Sequence, residues 1–128
     1  MEVSVNILGI GIDIVEIKRI EDALNKNKRF LDKLFTKEEI KYFESRNFKI
    51  ETIAGNFAAK EAISKAMGTG IRNFNFTDIE VLRNELGKPI VEISNKVKEL
   101  IKVDNYIFNI SISHNRTCAI AFVVLESH

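Results

Sequence analysis

Proline and cysteine each occur once in the 128 residues, and basic and acidic side chains nearly cancel, at a net charge of +1. Each scarcity excludes something. With a single proline, and no Pro/Ser-rich tract, there is no linker, repeat or low-complexity segment, and the length fits one domain over residues 1–128 with a single core. One cysteine, Cys118, allows no intrachain disulfide, which points to the cytoplasm. The near-neutral balance gives no global case for a nucleic-acid or membrane partner, so any charge-based recognition must be local. Long hydrophobic runs are missing too. The apolar run from Ile7 to Val15 is broken by Gly9, Gly11 and Asp13, so it reads as neither a signal peptide nor a spanning helix. There is no Walker loop, full G-x-G-x-x-G, C-x-x-C or H-E-x-x-H. Cys118 sits in an apolar segment and reads as core packing, and with His114 and His128 it makes no zinc set.

What is present is a helix with an odd distribution of side chains. The stretch Phe57-Ala58-Ala59-Lys60-Glu61-Ala62-Ile63-Ser64-Lys65-Ala66-Met67 belongs to a helix expected over about Ile50 to Met67, closed by the turn Gly68-Thr69-Gly70. Glu61 and Lys65 interrupt a face otherwise made of Ala54, Gly55, Ala58, Ala59, Ala62 and Ala66, small residues that admit a backbone or a ligand. Charges are seldom placed on such a face unless paired or metal-bound. An i,i+4 Glu61–Lys65 pair explains them as well as a functional site does. Upstream, Val5 to Val15 alternates and reads as a strand. Leu8, Ile10, Ile12 and Ile14 form one face; Gly9, Gly11 and Asp13 form the other, where glycine marks close approach by a ligand or a backbone. Asp13 ends that cleared face, or else caps the next helix.

The remaining pattern is helical first and extended later. Glu16 to Lys26 is amphipathic, with Ile17, Ile20, Ala23 and Leu24 inward and Lys18, Arg19 and Lys26 outward; Lys28, Arg29 and Lys33 follow. Thr36-Lys37-Glu38-Glu39 is a capping box opening a helix to about Arg46. After the Gly68-Thr69-Gly70 turn the period becomes two. Phe76 to Arg83 and Ile90 to Ile93 read as a hairpin about Glu85-Leu86-Gly87-Lys88-Pro89, and Ser94 caps a short helix from Asn95 to about Lys102. Tyr106 to Ser113 and Cys118 to Leu125 are strands, the second apolar enough to be central. Helices before strands indicate an α+β domain with a largely antiparallel sheet packed on helices.

Asp13 and Glu61, with Lys65 nearby and His114 at a strand end, are the chemistry-bearing set. Two carboxylates plus water and phosphate oxygens suit Mg²⁺, and Lys65 suits a second phosphate. Gly9-Ile10-Gly11-Ile12-Asp13-Ile14-Val15-Glu16-Ile17-Lys18-Arg19-Ile20, Phe57-Ala58-Ala59-Lys60-Glu61-Ala62 with Lys65, Gly68-Thr69-Gly70, Gly87-Lys88-Pro89 and Ser111-Ile112-Ser113-His114 then occur in order. Together they resemble the holo-acyl-carrier-protein synthase family, the short bacterial-type 4′-phosphopantetheinyl transferases, from Ile7 to Val124. The resemblance implies transfer of the 4′-phosphopantetheine arm of coenzyme A to a serine of an acyl carrier protein in fatty acid biosynthesis, releasing adenosine 3′,5′-bisphosphate. It implies Asp13 and Glu61 as Mg²⁺ ligands and Lys65 on the phosphates. By the same resemblance His114 lies near coenzyme A and Gly68-Thr69-Gly70 against its nucleotide. Metal-bound water, Lys65 and Glu61 all remain candidates for the general base. It further implies a homotrimer with shared active sites, and docking of the acidic carrier by Lys18, Arg19 and Arg29. Two alternatives compete. Gly9 to Asp13 echoes the phosphate strand of actin-like kinases, whose two domains need more than 128 residues. A non-catalytic trimeric binding module of the same fold is the other.

Overall fold

The computed structural model describes residues 6–128. Val5, the first residue of the expected N-terminal strand, lies outside them. Strand β1 runs Asn6–Glu16, followed by helices α1 (Ile17–Lys26), α2 (Phe30–Leu34), α3 (Lys37–Ser45) and α4 (Ile50–Ala66). A 3₁₀ turn (Phe76–Asp78) leads into the hairpin β2 (Ile79–Arg83) and β3 (Pro89–Ile93). Helix α5 (Asn95–Lys98), β4 (Tyr106–His114) and β5 (Cys118–Ser127) complete the chain. Two antiparallel sheets result, one ordered β1-β5-β4 and the other β2-β3, so β5 is central as its apolar sequence requires. This is an α+β fold.

Helix α4 is the axle. It has no single apolar stripe; Ile53, Ala54, Ala58, Ala59, Ala62, Ile63 and Ala66 are buried around its circumference, as for a helix covered on all sides. One side packs on β1 and β5, where Ala119, Ala121, Val123 and Leu125 point inward. The other side meets β2 and, through buried polar side chains, α3. Close packing against β1 is possible only because two positions there lack a side chain. A Cβ on Gly11 would lie 1.8 Å from the Ala62 carbonyl oxygen, and one on Gly9 would lie 1.7 Å from that of Ala66.

The two faces of β1 therefore obey opposite rules. Its glycine face is the inward one, and the face of large side chains is open: Ile10 is 57 % exposed, Ile12 53 % and Ile14 65 %. Phe122 on β5, opposite Ile12, continues this patch at 43 % exposure. A contiguous apolar surface of this kind marks an interaction site.

Several boundaries differ from the sequence expectation. The strand expected from Phe76 begins at Ile79, because Asp78 Oδ2 accepts from the Asn75 amide while the Asp78 amide donates to the Asn75 carbonyl, which winds Phe76–Asp78 into a 3₁₀ turn. Helix α5 stops at Lys98 rather than near Lys102. Cys118 opens β5 half-buried beside Thr117, at the rim of the core. The Thr36–Glu39 capping box and the Ser94 cap are both formed.

Candidate functional site

The strand β1 and helix α4 run antiparallel, so Gly9 meets Ala66 and Gly11 meets Ala62. Asp13 then falls beside Glu61 and Lys65. Lys65 Nζ lies 3.1 Å from Asp13 Oδ1 and donates to the Ile12 carbonyl at 3.0 Å. The i,i+4 pairing with Glu61 allowed by spacing is not the one made. The glycine contact brings β1 within reach of Lys65, which bridges to the strand instead. Nor does Asp13 cap α1. That helix begins after Glu16, which makes no side-chain cap.

Glu61 is left half-buried without a hydrogen-bonded cation. Burial pushes its carboxyl above the ordinary glutamate range, the Asp13 charge pushes it the same way, and Lys65 opposes both. Two neighbouring carboxylates, only one of them bonded to the Lys65 ammonium, make a hard-oxygen donor pair whose repulsion a divalent ion would relieve. Among the described residues no three His, Cys, Asp or Glu side chains gather as a metal set, so the remaining ligands of such an ion would be water or substrate oxygens.

This electrostatics is measurable. In metal-free protein the Glu61 carboxyl, followed by NMR, titrates above 4.5, and Asp13→Asn moves its midpoint down. A raised folded-state value means the Glu61 contribution to stability is full at low pH and is lost as pH rises through that value. A midpoint unmoved by Asp13→Asn contradicts the coupling.

The other sequence candidates are placed separately. Gly68-Thr69-Gly70 forms the turn after α4, with φ of 79° at Gly68 and 63° at Gly70, and the amides of Thr69 and Gly70 both donate to the Ser64 carbonyl. His114 ends β4, opposite Ala119, while Asp13 pairs with Ala121 on the far side of β5. Two strand spacings, about 10 Å, therefore separate their strands. Lys18, Arg19 and Arg29 are exposed on α1 and the segment after it, and Lys18 makes a loose surface pair with Asp22 at 3.7 Å.

Two features gave no usable signal in the sequence. Gly87 and Pro89 of the hairpin turn share a groove with Ser111 and His114, joining two separate motifs; Tyr42 and Arg83 line it too. Arg83 and Arg46 pack on the Tyr42 ring, at 5.2 Å and 5.6 Å from its centre. The second feature is a fully buried ion pair, Glu39 to Lys60 at 2.6 Å. Burial drives the Glu39 carboxyl up and the Lys60 ammonium down, and their mutual attraction opposes both. Glu39 was legible as a capping residue, but its long-range partner was not.

Comparison with known proteins bears on this geometry. Residues 9–121 match the family model of the 4′-phosphopantetheinyl transferase superfamily. The chain is 56 % identical over 120 residues to the holo-[acyl-carrier-protein] synthase of Clostridium botulinum (strain Eklund 17B / Type B), covering 94 % of this chain and 98 % of that protein. The crystal structure of a holo-(acyl-carrier-protein) synthase from Bacillus anthracis str. Ames in complex with CoA (3′,5′-ADP) superposes with a TM-score of 0.78 at 43 % identity, over 95 % of this chain and 98 % of that one. The Helicobacter pylori holo-[acyl-carrier-protein] synthase in complex with coenzyme A gives a TM-score of 0.79 at 37 % identity, over 91 % and 98 %.

Proposed function

The chain belongs to the 4′-phosphopantetheinyl transferase superfamily, among its holo-[acyl-carrier-protein] synthases, and on that footing we propose how it transfers phosphopantetheine from coenzyme A to an acyl carrier protein. The carrier serine hydroxyl gives its proton to a general base, and its oxygen attacks the phosphorus bonded to the pantetheine arm. A phosphodiester forms, the bond to the second phosphate breaks, and adenosine 3′,5′-bisphosphate leaves. The attacking group belongs to the partner, so the chain needs no nucleophile of its own.

The observation that carries this reading is the juxtaposition of Asp13 on β1 with Glu61 and Lys65 on α4, side chains about fifty residues apart in sequence. Asp13 and Glu61 fit Mg²⁺ and would hold it; when bound, the ion neutralises charge on the diphosphate. Lys65 takes Asp13 as partner in the free protein, and its half-exposed ammonium would reach a phosphate oxygen of the bound substrate. There it stabilises the departing phosphate, the positioning-and-charge catalysis that phosphoryl transfer demands. The turn Gly68-Thr69-Gly70, at the end of the same helix, would lie against the nucleotide.

His114, two strands from the carboxylates, would contact coenzyme A in a site completed by a neighbouring copy. The open apolar face of β1 and β5 supports such a shared homotrimer. No helix among the described residues is long and apolar enough to cross a membrane, consistent with chemistry on two dissolved substrates in the cytoplasm. The chain acts as one catalytic domain.

With Mg²⁺, coenzyme A and an apo carrier protein, mass spectrometry should show the carrier gaining one phosphopantetheine. No gain with any bacterial carrier, where a known synthase works, removes the reading and leaves a binding module of the same fold. Lys18, Arg19 and Arg29 present positive charge to the acidic carrier. Arg19→Glu should raise KM for the carrier about tenfold at low salt and much less at high salt, with KM for coenzyme A unchanged. Equal effects on both substrates remove the docking role.

A further inference from the structure

We propose that Lys60 and Glu39 are positioning residues for Glu61: their buried ion pair fixes the roll of α4 about its own axis, and so the direction in which the adjacent carboxylate points. The proposal rests on Glu61 being a metal ligand.

Both side chains are wholly buried. Lys60 Nζ lies 2.6 Å from Glu39 Oε1 and donates to the Leu34 carbonyl at 2.7 Å and the Phe76 carbonyl at 3.0 Å, which uses all three of its protons. Glu39 Oε2 accepts from the Val81 amide at 3.1 Å and from Asn56 Nδ2 at 3.3 Å, and Oε1 accepts from the Thr36 amide at 3.0 Å. Helix α4 is thus tied at Asn56 and Lys60, one turn apart on one face, to α2, α3, the 3₁₀ turn and β2. Two tethers a turn apart define a roll angle. Glu61 follows Lys60 by roughly 100° around the helix, which turns it toward β1.

The opposite contact does not supply this constraint. Gly9 and Gly11 against Ala62 and Ala66 set how near the strand comes, and the bonds across that contact come from the long, half-exposed Lys65 side chain to Asp13 and the Ile12 carbonyl, a tether that leaves the helix freedom to roll. Fully buried directional bonds are what the ion pair adds. As a stabiliser alone it is replaceable, since apolar residues of similar volume often serve as well or better at such sites.

The test measures Mn²⁺ binding by the free-ion signal in electron paramagnetic resonance, on the full chain. Lys60→Met and the double variant Glu39→Gln/Lys60→Met should bind Mn²⁺ at least tenfold more weakly than wild type. Val97→Ala, a buried substitution on α5 that also lowers Tm, should bind as wild type, because stability loss alone does not turn α4. Folded pair variants within twofold of wild type overturn the proposal. Should they not fold, Asn56→Leu carries the test: it cuts the tethers to Glu39 Oε2 and the Val81 carbonyl but leaves the ion pair, and should weaken Mn²⁺ about threefold. Unchanged binding there overturns the proposal too. Glu61→Gln separates the two ideas: wild-type Mn²⁺ binding in that variant removes the ligand reading of Glu61 itself.

Discussion

Gly11→Ala should lower Tm by roughly 10–15 °C and abolish measurable transfer, the largest loss expected from adding one methyl group to this chain. The added carbon would stand 1.8 Å from the Ala62 carbonyl oxygen and 2.8 Å from the Ala66 amide nitrogen. Both are helix backbone, so no rotamer change relieves the contact; β1 and α4 must separate. Overpacking of a closed core costs about 1–3 kcal/mol, and a rigid contact this short belongs at or above the top of that range. Separation also withdraws Asp13 from Lys65 and Glu61. Activity should therefore fall further than stability does, and calorimetry beside the mass assay would show both. A variant with wild-type Tm would mean that strand and helix do not meet as described.

Glu61→Gln separates activity from stability in the opposite sense. Turnover should drop by about two to three orders of magnitude, since a lost charge interaction in phosphoryl transfer is worth roughly 3–4 kcal/mol of barrier. Metal-free Tm should hold or rise slightly, because burial and Asp13 both disfavour the Glu61 charge and the amide removes it. Adding Mg²⁺ should raise the Tm of wild type and leave that of the variant unchanged. Thermal melts with and without metal, beside kcat, check all three. Wild-type turnover would make Glu61 a structural residue.

Much of this arrangement was legible in the sequence because it is local and periodic. Alternation marked β1 and singled out its glycine face, and the run of small residues on α4 announced a close partner. The same logic failed where partners are distant. Spacing offered Glu61 to Lys65, whereas Asp13, 52 residues away, takes the ammonium. Lys60 drew no reading of its own beyond its place in the Phe57 to Ala62 motif, because nothing near it in sequence indicates that Glu39 receives it. The strand expected from Phe76 overlooked Asn75 and Asp78, a capping pair whose three-residue spacing was visible but whose apolar surroundings suggested extension. His114 was placed correctly at a strand end, but its distance from the carboxylates depends on β5 lying between, which is topology and not pattern.

The open face of β1 has a consequence for dilution. Leu8, Ile10, Ile12, Ile14 and Phe122 face outward from a sheet whose other side is already filled. Removing them from water takes a second surface, and the supply of second surfaces is set by how many molecules share the vessel. In the trimer proposed above that second surface is another copy, so the stability of the chain would be partly a property of its concentration.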